Sequence, residues 1–268
     1  MNLKRIFYGE DENQFGDLRL PDGNGPFPVA IIIHGGFWRE KFRLDQMDRL
    51  AEELTARGIA TWNIEYRRIG QTGGGWPGTF LDNAEAADYV RTLAIHYPLD
   101  VDRVIAIGHS AGGHLALWMA ARHKLSPSSM LATSRNPLRL KGVISLAGVG
   151  GLPLMHEIHY RRELNMGISD NPTRDLLGGR PDDVPERYEE GSPLSLLPIE
   201  VPLVLIHGSL DVNVPIGVSM QFEAAAKLAG DKVLLKTVAN AEHFSMIDPT
   251  SAAWPDIMES IHSKLHDE

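Results

Sequence analysis

The run Val29-Ala30-Ile31-Ile32-Ile33 is apolar at every position. A strand with one face in water alternates polar and apolar residues, so a strand without alternation is covered on both faces. Strands of that kind belong to parallel sheets sandwiched between helices, and the rest of the chain supplies the helices. Residues 43–57 carry Leu44, Met47, Leu50, Ala51 and Leu54 at helical spacing, and Gly58 stops the pattern. A strand over 59–66 follows, then a helix over 81–97 ended by Pro98, a strand over 103–107 and a helix over 111–122. Strands are expected at 142–146, 203–206 and 232–238, and helices at 216–229 and 252–265. This alternation implies an α/β fold with a mostly parallel central sheet and helices on both faces. Residues 4–8 and 17–20 are expected to precede it as antiparallel strands joined by the polar turn at 10–13. The stretch 150–198 breaks the rhythm. It is rich in Gly, Pro, Arg and Asp and reads as a lid-like excursion from a single domain spanning 1–268.

A chain of 268 residues buries roughly 70–75% of its unfolded surface and can sustain one large core. Its 43% hydrophobic and 23% charged content is that of a globular protein, which excludes disorder, collagen and coiled coil. The formal charge of −9 repels polyanions, and the densest basic cluster is the pair Arg161-Arg162, so no nucleic-acid partner is expected. The absence of cysteine excludes disulfides, thiolate metal sites, Fe–S clusters and a cysteine nucleophile. No apolar segment follows Lys4-Arg5, and runs such as Val29 to Ile33 are far too short to span a bilayer. The expectation is a cytoplasmic protein with no membrane partner; the sequence leaves the oligomeric state open.

The chemistry-bearing signal is Gly108-His109-Ser110-Ala111-Gly112-Gly113, between a strand and a helix. A serine on so sharp a turn needs small neighbours two residues away on either side, so that strand and helix can approach. Gly108 and Gly112 meet that need, and Ser110 is left at the carboxyl end of the sheet, where ligands of α/β proteins bind. The second signal is His34-Gly35-Gly36-Phe37-Trp38, directly after the apolar strand. A tetrahedral oxyanion requires preorganised backbone donors, which the amides of Gly36, Phe37 and Ala111 can provide. A nucleophilic serine also needs a base, and the base an orienting acid. Asp211 falls in the loop after the strand 203–206, and His243 in the loop after the strand 232–238. Both therefore lie at the nucleophile's end of the sheet, in the chain order serine, acid, histidine. Asp248 follows the histidine, which is the wrong order, and His207 lies within the strand end and is expected to bond locally.

These residues make the chain resemble the α/β-hydrolase superfamily over nearly its whole length, from the strand before His34 to the helix after His243. Within it, the His34–Trp38 and Gly108–His114 segments are similar to the small carboxylesterase and arylformamidase (kynurenine formamidase-like) branch. The hormone-sensitive-lipase-like branch usually has a third glycine where Phe37 stands and an aspartate where His109 stands. Leu176-Leu177-Gly178-Gly179 and Gly191-Ser192-Pro193 are also similar to segments of small esterases and oligopeptidase-like hydrolases. The resemblance implies a serine hydrolase that takes a small-molecule ester, or alternatively a formamide, and works without a cofactor.

Phe37, Trp38, His109 and Phe244 are the expected substrate-binding residues, and Trp118 is expected in the core. Gly73-Gly74-Gly75-Trp76-Pro77-Gly78 fits the Gly-x-Gly-x-x-Gly spacing of dinucleotide sites, but it lies well past its strand and Pro77 interrupts it, so it reads as a flexible loop. His156 with His159, and His262 with His266, have helical spacing but no further ligands, so no metal is expected and these are read as exposed histidines. A non-catalytic binding module on the same fold is the reading that a missing acid, base or nucleophile would have favoured.

Overall fold

The computed structural model describes residues 2–266. Eight strands form one sheet: β1 (Asn2–Phe7), β2 (Phe15–Leu20), β3 (Phe27–Ile33), β4 (Ala60–Ile64), β5 (Leu99–His109), β6 (Gly142–Leu146), β7 (Leu203–Gly208) and β8 (Val233–Val238). Their spatial order is β1-β2-β4-β3-β5-β6-β7-β8. The β1–β2 and β2–β4 pairs are antiparallel and the remaining pairs parallel. The helices are α1 (Asp48–Ala56), α2 (Gly78–Asp88), α3 (Val90–His96), α4 (Ala111–Ala121), α5 (Leu152–Met166), α6 (Pro172–Leu177), α7 (Pro185–Gly191), α8 (Gly217–Ala229) and α9 (Trp254–His266).

The two-residue period of each buried strand divides its side chains between two cores. Val29, Ile31 and Ile33 of β3 face one, with Ala84 and Ala87 of α2, Leu115 and Trp118 of α4, and Phe222 of α8. Ala30 and Ile32 face the other, with Leu50 and Leu54 of α1 and Ile257 and Ile261 of α9. This is why β3 contains no polar residue. Trp118 is fully buried, as expected. So is every residue of α4, because the helix lies between the sheet and the segment 150–198.

Three expectations need correction. The helix expected at 81–97 is two helices that meet at Tyr89, and the first begins earlier, directly after Pro77. The excursion 150–198 is largely helical, containing α5 to α7. The Gly73–Gly78 loop is closely packed: a side chain at Gly74 would meet the Arg68 carbonyl oxygen, and one at Gly78 the carbonyl oxygen of Gly73. Among the described residues, no helix is long and apolar enough to cross a membrane.

Candidate active site

Strand register brings the motif loops to one edge of the sheet. Ile33 pairs with Gly108, Gly108 with Ser145, and Gly208 with Val238. The loops that leave β3, β5, β7 and β8 therefore emerge on the same side, with Ser110, Asp211 and His243 on three of them.

Ser110 connects β5 to α4 with φ +57° and ψ −118°, a region that costs a non-glycine residue about 1–3 kcal/mol. The junction survives because its neighbours hold it. The Ser110 amide donates to Leu146 O at 2.8 Å, and the His114 amide donates to Ser110 O at 3.1 Å. Gly112 lies so close to the end of β3 that a Cβ there would come within 2.1 Å of Ile33 O. Gly35 abuts the serine, since its own Cβ would stand 3.0 Å from Ser110 Cβ. The His34–Trp38 loop is thus seated against the Ser110 turn. Gly36, Phe37 and Trp38 all have positive φ, turning the loop sharply. Ala111 is the first residue of α4, where amides have no partner inside the helix.

Asp211 and His243 meet across 32 residues of sequence. His243 Nδ1 lies 2.6 Å from Asp211 Oδ2, and both side chains are buried. Asp211 Oδ1 accepts from the amides of Asn213 and Val214, each at 2.9 Å. Burial pushes the Asp211 carboxyl up, but the hydrogen bonds from His207, His243 and the Val214 amide outweigh it and hold the group well below the ordinary carboxylate range. The carboxylate is ionised and directs the Nδ1 proton of His243, which leaves Nε2 as the basic nitrogen. The His109 ring lies 4.5 Å, centroid to centroid, from the His243 ring. His109 Nε2 donates to His243 O at 3.1 Å, fixing the His243 backbone to the residue that precedes Ser110. Asp248 is half-buried and bonds Thr250 in its own turn.

The four expected substrate contacts separate in the structure. Phe244 is 51% exposed beside His109 and His243, and Phe37 is half-buried. His109 is buried and engaged as described, while Trp38 is fully buried with its ring edge-on to His114. These last two side chains are thus held inside the protein, whereas Phe244 and Phe37 keep exposed surface.

Several residues of the site carry no motif. Glu65, just beyond β4, is fully buried against His34. His34 Nδ1 is 2.8 Å from Gly35 O, and Nε2 is 2.8 Å from Glu65 Oε1. Both ring nitrogens thus face oxygen atoms. Arg68 stands 3.1 Å from the same carboxylate, and Tyr66 stacks on the imidazole and donates to His34 O. A buried ionic cluster thus braces the glycine loop from behind. Its one sequence signal is charge directly after an apolar strand, in Ile64-Glu65-Tyr66-Arg67-Arg68.

His156 and His159, read as exposed, are both buried on α5. His159 bonds Thr173 and lies edge-on to Phe37, with centroids 5.2 Å apart. His262 is exposed, and the His266 side chain falls outside the described residues. Arg39 forms ion pairs with Asp170 and Asp175, so the segment 150–198 is tied to the glycine loop at more than one point. Among the described residues, no cluster of three or more His, Cys, Asp or Glu could hold a metal ion.

Burial depresses three imidazoles: His109 to about 3, and His114 and His159 to about 4. Each is neutral in the fold but takes up a proton once unfolded, near its ordinary value of 6.5. The stability they confer is complete above that value and is lost as pH falls toward 4 and 3. The depressed carboxyls of Asp211 and Glu65 add to the same trend at lower pH. The melting temperature is expected to drop by about 10 °C or more between pH 7 and pH 4. A flat profile in calorimetry would show that the buried histidines charge without penalty.

The sequence profile of the BD-FAE family matches residues 17–226. Among curated proteins, the chain is 25% identical over 98% of its length to a probable isoprenylcysteine alpha-carbonyl methylesterase ICME of Oryza sativa subsp. japonica, covering 64% of that protein. It is 27% identical over 88% of its length to esterase LipQ of Mycobacterium tuberculosis, covering 55% of it. The chain therefore spans somewhat under two thirds of the relatives it matches. Among solved structures, esterase B from Lactobacillus rhamnosis superposes with a TM-score of 0.81 at 17% identity, over 98% of this chain and 87% of that one. That likeness is one of fold: the chain has the α/β-hydrolase fold.

Proposed function

The chain belongs to the BD-FAE family, an α/β-hydrolase-type esterase family, and we propose on that premise that it is a serine hydrolase that cleaves small carboxylic esters through an acyl-enzyme. The observation that carries the reading is the buried 2.6 Å contact between His243 Nδ1 and Asp211 Oδ2, with the His243 ring 4.5 Å from that of His109, the residue before a serine held on a strained strand-to-helix turn. In this mechanism, Asp211 fixes the tautomer of His243 and His243 Nε2 takes the Ser110 proton. Ser110 Oγ attacks the ester carbonyl, and His243 returns the proton to the leaving alcohol. Water then repeats the sequence on the acyl-enzyme. The amides of Ala111 and of Gly36 or Phe37 receive the oxyanion, and the His34–Glu65–Arg68 cluster keeps the glycine loop in place while charge develops.

The names of the relatives support ester over formamide hydrolysis. Exposed Phe244 and half-buried Phe37 suit a short acyl group with an apolar or aromatic leaving group. In this reading, 1–268 act as one domain, and 150–198 wall the site on the side of Phe37 through His159 and the Arg39 ion pairs. The test is twofold. A fluorophosphonate should add once, by intact mass, to the folded protein. In ester assays, kcat/KM for p-nitrophenyl acetate or butyrate should exceed that for the dodecanoate by at least about tenfold, and should exceed that for N-formylkynurenine. Faster cleavage of long chains would overturn the small-site reading. Preference for the formamide would reassign the substrate, and a folded protein without an adduct would point to a binding module.

A further inference from the structure

Asp211 Oδ2 accepts from two histidines. Besides His243 at 2.6 Å, His207 Nε2 stands 3.2 Å away. His207 lies in β7 and is fully buried. Its Nε2 is also 2.8 Å from Val214 O, while Nδ1 is 2.8 Å from the hydroxyl of Ser219 on α8. Val214 O and Asp211 Oδ2 can only accept, so Nε2 carries a proton and donates it to both, and Nδ1 is left facing the Ser219 hydroxyl. The ring is therefore held from three sides: its own strand, the Asp211–Val214 turn and α8.

We propose that His207 is a positioning residue for the reaction assigned above, orienting the Asp211 carboxylate toward His243 and sharing the oxygen on which His243 depends. The proposal rests on the serine-hydrolase reading. The geometry has two separable consequences. The second donor fixes the rotation of the carboxylate, so its loss lets Asp211 turn away from His243 and lowers kcat without touching the substrate. The second donor also draws charge from Oδ2. Where the carboxylate still faces His243, as turnover requires, loss of that donor leaves more negative charge on the oxygen and makes the imidazole easier to protonate. A side chain that served packing alone would produce the first effect only through general loosening, and would not produce the second. Among the described groups, the titratable side chains packed on His243 are Asp211 and His109, from the loops after β7 and β5, and the neighbouring Glu242 is exposed. His109 is neutral throughout the relevant pH range, so it does not blur the measurement.

The experiment compares the wild type with His207→Met, His207→Gln and Ser219→Ala, reading kcat, KM and the acid limb of the kcat/KM profile with p-nitrophenyl acetate. Melting temperature and fluorophosphonate labelling are read on the same samples. His207→Met should lower kcat by about 10- to 100-fold with KM within about threefold, and raise the acid-limb pKa by roughly half a pH unit. His207→Gln, which can present an amide N–H to Asp211 and a carbonyl to Ser219, should recover most of kcat and the wild-type limb. Ser219→Ala removes the partner of Nδ1 and should cost a few-fold in kcat. It also keeps the proposal testable if His207→Met does not fold. A folded His207→Met with wild-type kcat and an unshifted limb would overturn the proposal, as would Ser219→Ala and His207→Gln both lowering KM and kcat without any pattern in the limb. A folded wild type that neither labels nor turns over ester would instead overturn the serine-hydrolase reading, and the His207 assignment with it.

Discussion

Ser110→Ala is expected to lower kcat for p-nitrophenyl acetate on the order of a millionfold, with KM within a few-fold of wild type. In the proposed mechanism the size follows from removing the atom that forms the acyl bond: no orientation of His243 by Asp211 compensates for a missing oxygen, and only a residual acceleration by the oxyanion donors remains. The substitution should leave the fold intact. Alanine keeps the Cβ, and so inherits the same strain at φ +57° without adding to it. The bonds that hold the turn run through the backbone of residue 110, to Leu146 and from His114. The melting temperature should therefore stay within a few degrees of wild type, and the fluorophosphonate adduct should vanish. Activity above about one per cent of wild type, or an adduct that persists, would place the nucleophile elsewhere.

The largest expected effect on stability comes from a single methyl group. Gly112→Ala would put a Cβ 2.1 Å from Ile33 O and 2.6 Å from His34 O, both main-chain atoms where β3 ends. No flexible side-chain tip can yield there, so α4 must move off β3, and the close approach that shapes the serine turn is lost. Destabilisation above about 4 kcal/mol is expected, beyond the usual range for one substitution and large against a total of about 5–15 kcal/mol. The readout is a melting temperature lowered by about 10 °C or more, or failure to recover folded protein. Gly217→Ala is the control. That glycine opens α8 with nothing near its missing Cβ, so alanine should be neutral or stabilise by up to about 1 kcal/mol. If the two variants melt alike, the β3–α4 junction is looser than its geometry indicates.

How legible the fold was depended on whether burial left a local trace. β3, β5 and β7 put apolar side chains into two cores, and that leaves the unbroken apolar runs at 29–33, 104–107 and 203–206. α5 left no such trace. It buries Leu152, Met155, His156, His159 and Glu163, a regular helical stripe in which three of five residues are polar, so hydrophobic periodicity could not reveal it. Those polar groups are tolerated because partners meet them: His159 finds Thr173, and Glu163 finds Arg174. The division of 81–97 into α2 and α3 was hidden for another reason. Tyr89 keeps a near-helical backbone, with φ −63° and ψ −19°, so the apolar spacing runs on through the break.

Local sequence alone set the alternation of strand and helix, the glycines that permit a serine turn, and the positions of Ser110, Asp211 and His243 just after β5, β7 and β8. These follow from side-chain period and turn chemistry, which act over a few residues. Tertiary structure alone decided which polar groups would be partners. His34 meets Glu65 across 31 residues and His243 meets Asp211 across 32. His207 has Asp211 only four residues away, yet it takes up that bond because α8 delivers Ser219 to the other side of its ring. A buried polar group must find a partner wherever the packed chain supplies one, and no local rule encodes that choice.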